Sequence, residues 1–106
     1  MATLNILLCC GAGMSSGLVA QQARKAAKKR GLDAKIEARS ESELQQYLSS
    51  IDCLLLGPHY EAFLAEIQEQ AKPYNVPVGV IPKNIYATMD GNGLIDYALE
   101  LMGKKE

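Results

Sequence analysis

The chain lacks the features that mark several large classes of protein. Its 11 basic and 12 acidic residues give a formal net charge of -1 at pH 7, so the basic excess typical of nucleic-acid-binding domains is missing. No apolar stretch approaches the roughly 20 residues that span a bilayer. The short run Ile6-Leu7-Leu8 is not preceded by the basic segment of a signal peptide. We therefore expect a cytoplasmic protein with no nucleic-acid partner and no direct membrane insertion.

Cysteine and histidine are too few, and too far apart, for two common structural uses. Three cysteines are an odd number in a chain without an export signal, which argues against a disulfide framework. Cys9 and Cys10 are adjacent, Cys53 is distant, and His59 is the only histidine. No usual zinc-ligand spacing appears. We expect neither a metal site nor a cofactor.

Strand-like and helix-like segments alternate along the 106 residues, a length that suits one domain covering 1–106. Strands are predicted at 3–9, 33–39, 51–56 and 76–81. The first and third are almost wholly apolar, as in parallel strands buried on both faces, whereas the second alternates and the fourth contains Pro77, as at sheet edges. The sequence therefore predicts an α/β fold: one doubly wound domain with a four-stranded parallel sheet of order 2-1-3-4 and helices on both faces.

Helices are predicted at about 15–30, 40–48, 60–71 and 93–102, with a loop at 82–90. The apolar stripe expected of the first helix comprises Leu18, Val19, Ala23, Ala26 and Ala27. In the third helix, Phe63, Leu64 and Ile67 are expected to face inward. Five basic residues crowd the last turns of the first helix before the stop at Gly31. We interpret them as a solvated face without a part in the chemistry.

The segment between the first strand and the first helix carries the candidate chemistry. It comprises Cys10, Gly11, Ala12, Gly13, Met14, Ser15, Ser16 and Gly17. Glycines let backbone amides turn toward one point, and a helix N-terminus adds partial positive charge, so an anion is favoured there. The same field favours a thiolate and makes the sulfur a nucleophile. We predict a phosphate-binding loop with Cys10 as covalent nucleophile, and interpret Cys9 and Cys53 as buried, inert thiols.

Low-molecular-weight tyrosine phosphatases share this layout but place an arginine after five intervening residues. Six positions after Cys10 stands Ser16, and the first arginine of the chain is Arg24. The loop therefore lacks the cation that stabilises charge during formation and hydrolysis of the thiophosphate. This absence argues against a phosphatase.

The run from Leu8 to Ser16 resembles the active-site segment of the IIB components of the bacterial phosphoenolpyruvate-dependent sugar phosphotransferase system. The lactose/cellobiose type fits best because two later segments also resemble it. These are Leu54-Leu55-Leu56-Gly57-Pro58 and the stretch from Ile81 through Tyr86 to Asp90-Gly91-Asn92-Gly93. The likeness covers nearly the whole chain, and the three segments together are far more specific than the cysteine loop alone.

The resemblance implies a phosphoryl relay. A phosphohistidine of the IIA component would donate to Cys10, and the phosphocysteine would pass the group to a sugar bound by the membrane IIC component. The backbone amides from Gly11 to Gly17 would hold the phosphate in both steps. The transported sugar would be a β-linked disaccharide such as cellobiose, chitobiose or lactose. Since a relay must not lose its phosphoryl group to water, we relate the missing arginine to the hand-over.

Three further residues are expected at the rim of this site or in contact with partners: His59, Tyr86 and Asp90. His59 follows the third strand, but family members often carry glutamine there, so the relay does not require a histidine base. Two alternatives to the relay remain open, a low-molecular-weight-type phosphatase and a non-catalytic regulatory binding module. A thiol-redox role is disfavoured because Cys9-Cys10 is not a Cys-X-X-Cys pair. A monomer satisfies every feature of the sequence.

Overall fold

A parallel sheet is the frame of the molecule. The computed structural model describes residues 4–9, 14–39 and 44–103. Its strands are β1 Leu4–Cys9, β2 Ala34–Arg39, β3 Cys53–Leu56 and β4 Val78–Val80. All pairings are parallel and the order is β2-β1-β3-β4, so the predicted topology is confirmed.

Helices connect these strands and cover both faces of the sheet. They are α1 Met14–Lys29, α2 Leu44–Tyr47, α3 Leu64–Ala71, α4 Lys83–Thr88 and α5 Gly91–Leu101, with 3-10 helices at Pro58–Phe63 and Lys72–Tyr74. The prediction of a loop at 82–90 is wrong. Pro82 begins a helix there, and its carbonyl accepts the Tyr86 N–H at 3.0 Å. The helix predicted at 60–71 starts instead as a 3-10 helix with Pro58 in its first turn, where a missing N–H costs nothing.

The sheet separates two apolar cores because successive strand residues point to opposite faces. One core joins α1 and α5 to the face that carries Ile6, Leu8 and Leu55. The other joins α2 and α3 to the face that carries Leu7 and Leu56. Every residue of β3 is buried, which confirms that it is a central strand.

Two side chains predicted to be inward are exposed. Leu18 is 51% exposed and Phe63 is 46% exposed. The buried stripe of α1 comprises Val19, Ala20, Ala23, Ala26 and Ala27, and at 100° per residue Leu18 falls outside that arc. Phe63 ends the 3-10 helix, whose different period shifts the inward face, and only Ile67 of the predicted set is fully buried.

The basic residues at the end of α1 are mostly exposed, as predicted, and two of them also contact other elements. Arg24 Nε donates to the Ile36 carbonyl at 2.6 Å. Arg30 donates to the Asp96 carboxylate at 2.9 Å and so joins α1 to α5. Since Gly91 lies against Gln22 and Arg30 pairs with Asp96, α1 and α5 run in the same direction on one face of the sheet.

Candidate functional site

The edge at which β1, β3 and β4 end, here called the carboxyl edge, gathers the loops that follow these strands. Cys9 and Leu56, the last residues of β1 and β3, are in register. The Gly57 N–H donates to the Cys9 carbonyl at 3.0 Å, and the Ile81 N–H donates to the Leu56 carbonyl at 2.8 Å. The chain leaves β1 toward the α1 face and leaves β3 toward the α3 face. A crevice at such a switch point is where open α/β sheets bind ligands.

The predicted phosphate loop follows β1 in the sequence, and only part of it is described. Cys10, Gly11, Ala12 and Gly13 lie outside the described residues. Met14 to Gly17 form the first turn of α1, which starts one residue before the predicted position. That turn contains no acidic residue. The partial positive charge of the helix N-terminus is therefore not offset by a carboxylate of its own first turn.

The two described cysteines are both buried, as predicted. Cys9 is 1% exposed and Cys53 is 0% exposed. Burial, and then the nearby Asp52 carboxylate, raise the pKa of the Cys53 thiol from 9.0 to about 12. Cys53 is therefore a protonated core side chain at neutral pH. Cys9 points into the α2–α3 core.

The three predicted rim residues have different surroundings. His59 belongs to the 3-10 helix that follows β3, and its side chain lies outside the described set. Tyr86 belongs to α4 and packs against the α1–α5 core. Asp90 caps α5, its carboxylate accepting the Gly93 N–H at 3.0 Å. A contact of any of them with a partner stays a prediction.

Sequence reasoning did not single out Arg39, a cation at the end of β2 in register with Cys9. Its Nε donates to the Tyr47 hydroxyl at 3.0 Å, and its guanidinium lies 5.5 Å from the centre of that ring. The Glu37 carboxylate pairs with it at 3.0 Å. The alternation of β2 places Arg39 and Glu37 on one face, but the contact of Arg39 with Tyr47 of α2 depends on tertiary packing, which no local pattern predicts.

Gly91, at the start of α5, is a second residue whose structural role was not predicted from the sequence. A Cβ at this position would clash with the carbonyl of Gln22 and lie 2.9 Å from the Ala23 nitrogen. Glycine thus permits backbone-to-backbone contact between α5 and α1. This contact fixes α4 and Asp90 relative to the first half of α1, and so shapes one side of the carboxyl edge.

Comparison with known proteins identifies the family. The sequence model of the family described as "PTS system, Lactose/Cellobiose specific IIB subunit" matches residues 5–97. The chain belongs to this family. The resemblance seen in the cysteine loop and the two later segments is thereby confirmed across nearly the whole sequence.

Individual relatives agree with this assignment. The oligo-β-mannoside-specific EIIB component of Bacillus subtilis (strain 168) is 33% identical over 97 residues, which cover 92% of this chain and 94% of that protein. The cellobiose-specific EIIB component of Lactococcus lactis subsp. lactis (strain IL1403) is 35% identical over 107 residues, which cover 96% and 99%. The galactose-specific EIIB component of L. lactis subsp. cremoris (strain MG1363) is also 35% identical, with the same coverage.

Solved structures agree as well. The solution structure of a cellobiose-specific IIB component from Borrelia burgdorferi has a TM-score of 0.79 and 33% identity, and the match covers 96% of this chain and 94% of that one. The lactose-specific IIB domain from Streptococcus pneumoniae has a TM-score of 0.83 at 15% identity, covering 93% and 97%. At that identity the second match supports the fold alone.

Membership places the chain among the phosphotransferase components that act with IIA and IIC components in sugar transport. One relative is the lactose-specific EIICB component of Lacticaseibacillus casei, whose name combines IIC and IIB. The match has 24% identity and covers 17% of that protein and 93% of this chain. Among residues 4–9, 14–39 and 44–103, no helix has both the length and the apolar character needed to cross a bilayer. The same residues contain no group of three potential metal ligands.

Proposed function

We propose that Cys10 accepts a phosphoryl group from a phosphohistidine of a IIA component and passes it to a sugar bound by the membrane IIC component. The observation that carries this proposal is the position of the loop between β1 and α1. In a IIB family member, this loop starts at the switch point of the sheet and ends in a helix N-terminus without acidic residues. Such a terminus favours both a thiolate and a bound phosphate.

Two displacements at phosphorus account for the relay. In the first, the Cys10 thiolate attacks the phosphorus, the S–P bond forms, and the N–P bond breaks with its electron pair returning to the imidazole. In the second, a sugar hydroxyl oxygen attacks, the O–P bond forms and the S–P bond breaks. The sugar hydroxyl loses its proton and the departing thiolate gains one, so the net products are a sugar phosphate and the Cys10 thiol. Backbone amides from Gly11 to Gly17 hold the phosphate oxygens in both steps.

The serine at position 16 favours transfer over hydrolysis. An arginine at this position in phosphatases stabilises the charge that develops when water attacks the thiophosphate. In this chain, Arg39 lies at the same edge of the sheet but is paired with Glu37. We infer that the phosphocysteine persists until an acceptor arrives.

We propose a β-linked disaccharide such as cellobiose, chitobiose or lactose as the transported sugar. The named specificities of the relatives include oligo-β-mannoside, cellobiose and galactose at 33% to 35% identity. Because proteins equally similar to this chain carry different sugar names, we assign the choice of sugar to the IIC component. The chain itself acts as a monomeric phosphocarrier domain in the cytoplasm.

The test is transfer of labelled phosphate from phosphoenolpyruvate through the general phosphotransferase proteins and a IIA component. We expect an acid-stable, iodine-labile adduct that is lost in Cys10→Ser and retained in Cys9→Ser, the matched control at the neighbouring cysteine. Label that survives Cys10→Ser would refute the assignment of the nucleophile.

Two other results would favour the alternatives. The absence of labelling with any IIA component would favour a regulatory binding module. Hydrolysis of an aryl phosphate by the protein alone would favour a low-molecular-weight-type phosphatase.

A further inference from the structure

The end of the third segment that resembles the IIB family, Asp90-Gly91-Asn92-Gly93, forms the cap and first turn of α5. The Asp90 carboxylate accepts the Gly93 N–H at 3.0 Å. A Cβ on Gly93 would lie 2.7 Å from an oxygen of that carboxylate, so glycine at this position leaves room for the cap. Asp90 and Gly93 together therefore fix the first turn of α5.

Gly91 brings this turn against the backbone of α1. It is buried, and a Cβ on it would lie 2.6 Å from the carbonyl carbon of Gln22 and 2.9 Å from the nitrogen of Ala23. Ordinary contact between such atoms is about 3.5 Å, so a side chain at position 91 would force the two backbones apart by about 1 Å. The residue at position 91 therefore sets the distance between α5 and α1.

The two helices differ in how firmly they are held in their shared core. In α5, the branched side chains of Leu94 and Ile95 are 1% and 0% exposed. The buried face of α1 consists of one valine and four alanines: Val19, Ala20, Ala23, Ala26 and Ala27. Small side chains interlock with their neighbours less deeply than branched ones. We therefore expect α1, rather than α5, to move when the two helices are forced apart.

Side-chain hydrogen bonds hold the second half of α1. Arg24 Nε donates to a carbonyl of β2 at 2.6 Å, and Arg30, which follows α1, donates to the Asp96 carboxylate at 2.9 Å. Gln22 lies eight residues before Arg30 and eight residues after Met14, the first residue of α1, about 12 Å from each. Because the second half is held, a displacement at Gln22 is amplified toward Met14. It reaches about 2 Å there if the helix turns about Arg30.

We propose that Gly91 is a positioning residue for phosphoryl transfer, because it lets the first half of α1 lie close to α5, where the α1 N-terminus can bind the phosphate on Cys10. The inference rests on the proposed function. Cys10 stands four residues before Met14, so displacing the start of α1 changes where its amides point relative to the phosphate. A misplacement of about 1 Å in such a site lowers the rate by about 100-fold. Gly91 itself contacts α1 and acts through that helix.

The test measures phosphoryl transfer from phosphorylated IIA to the full chain under single-turnover conditions, with the IIA concentration varied. Gly91→Ala should lower the rate at saturation by about 10- to 100-fold. The IIA concentration at half-maximal rate should stay within about twofold of the wild-type value, because Gly91 is buried and offers no surface to a partner. All rates are divided by the folded fraction of each variant, measured by circular dichroism.

Gly79→Ala is the matched control for crowding of α5. Gly79 lies in β4, and its new Cβ would lie 2.6 Å from the Tyr97 hydroxyl and 2.9 Å from a methyl carbon of Leu101. Both side chains belong to the second half of α5, away from the contact with Gln22. This variant should be less stable than the wild type, but its folded fraction should transfer phosphate at the wild-type rate.

A second pair of variants decides the question if Gly91→Ala is too unstable to measure. Asp90→Ala removes the cap that fixes the first turn of α5, and should lower the rate at saturation by about 3- to 10-fold. Asp90→Asn removes the charge but still accepts the Gly93 N–H, so it should restore the wild-type rate. Alkylation of Cys10 by iodoacetamide at pH 7, located by peptide mass, should slow in Gly91→Ala and Asp90→Ala because the α1 N-terminus favours the thiolate less.

The possible outcomes separate this inference from the proposed function. Wild-type rates at saturation in Gly91→Ala and Asp90→Ala would overturn it, as would an equal loss in the folded fraction of Gly79→Ala. A loss in Asp90→Ala that Asp90→Asn does not restore would assign the effect to charge, and a higher half-maximal IIA concentration with an unchanged rate at saturation would assign it to docking. Either result would also overturn the inference. Failure of the wild-type chain to accept phosphate at all would instead contradict the proposed function.

Discussion

The two edges of the sheet differ in how closely they follow local structural rules. At the amino edge, where α1, α3 and α5 end, the left-handed positions are occupied by Gly31, Asn75 and Gly103, and Arg30 pairs with Asp96. At the carboxyl edge, a left-handed position is occupied by Met89, and Leu18 is exposed. Among the described residues, the left-handed positions of the amino edge hold residues that favour this conformation, whereas the one at the carboxyl edge holds a methionine.

This difference indicates which edge of the sheet carries the functional site. Local rules are most often broken at functional sites, and other parts of the molecule compensate for the cost. Here the compensation includes the close contact of α5 with α1 at Gly91 and the Asp90 cap, which together fix the segment that contains Met89. None of the predicted site residues lies among the described residues of the amino edge.

The largest effect is expected from disturbing the contact between Gly91 of α5 and Gln22 of α1, which fixes one side of the carboxyl edge. In Gly91→Ala, the new Cβ would meet the backbone of Gln22 and Ala23, which cannot move away as a flexible side chain could. We expect a loss of about 3 kcal/mol of unfolding free energy, at the upper end of overpacking costs, measured by urea denaturation.

The control for this variant is Asn92→Ala, one residue further along α5 and exposed. It should change stability by less than about 0.5 kcal/mol. A Gly91→Ala protein as stable as the wild type would show that α5 can shift on α1, and that this contact does not fix the carboxyl edge.

The second prediction concerns hydrolysis at the carboxyl edge. Ser16→Arg places a cation where phosphatases have one, so the lifetime of the phosphocysteine should fall by about 10- to 100-fold, within the range for one stabilising group in a transition state. The measurement is the decay of labelled protein in the absence of any acceptor. Ser16→Gln, of similar length without the charge, is the control, and an unchanged or longer lifetime in Ser16→Arg would contradict the role assigned to the missing arginine.

Much of this fold was predictable from sequence because its strands differ in pattern. The apolar run of β3 and the alternation of β2 gave their central and edge positions, and the order β2-β1-β3-β4 confirmed both. Gly31 ends α1 as predicted because its motif depends only on local backbone geometry. These features follow from the period and the composition of short segments.

The rest was not predictable because it depends on contacts between distant segments. Met89 does not look like a helix C-cap, so the end of α4 gave no local signal and the helix was missed. The roles of Arg39 and Gly91 likewise require knowledge of which element packs beside them. The exposure of Leu18, by contrast, follows from the 100° spacing of the α1 residues and needs no distant contact. For Cys10 and the three residues after it, the sequence remains the basis of the prediction.

The amino edge can be tested through Cys53, the first residue of β3. Its pKa is raised from 9.0 to about 12 in the folded protein, so the folded state keeps the thiol proton over a pH range in which the unfolded state loses it. The contribution to stability is complete below about pH 9 and is lost as the pH rises toward 12. Between pH 9 and pH 10 we expect it to fall by about 1 kcal/mol, measured by urea denaturation at each pH.

The comparison protein is Cys53→Ala. It should be less stable at pH 8 because it leaves a small cavity, but the difference from the wild type should shrink as the pH rises from 8 to 10. The pKa of Tyr97 is also raised, first by burial and then by Cys53, so the comparison is made in a Tyr97→Phe background, which removes this second titration from both proteins. A constant difference over this range would show that Cys53 does not titrate as inferred.

The smallest effect is expected from placing a methionine at a left-handed position of the amino edge. Gly31→Met should cost about 1 kcal/mol of unfolding free energy, because a Cβ is crowded at φ 70°, although nothing lies within 4 Å of that Cβ in space. Phosphoryl transfer from IIA should stay at the wild-type rate, since Gly31 lies at the end of α1 remote from its first turn. Gly31→Asn is the control, and it should recover most of the lost stability because asparagine tolerates this conformation, as Asn75 does. If Gly31→Met were as stable as the wild type, a methionine in this motif would carry no penalty, and the position of Met89 would no longer distinguish the carboxyl edge from the amino edge.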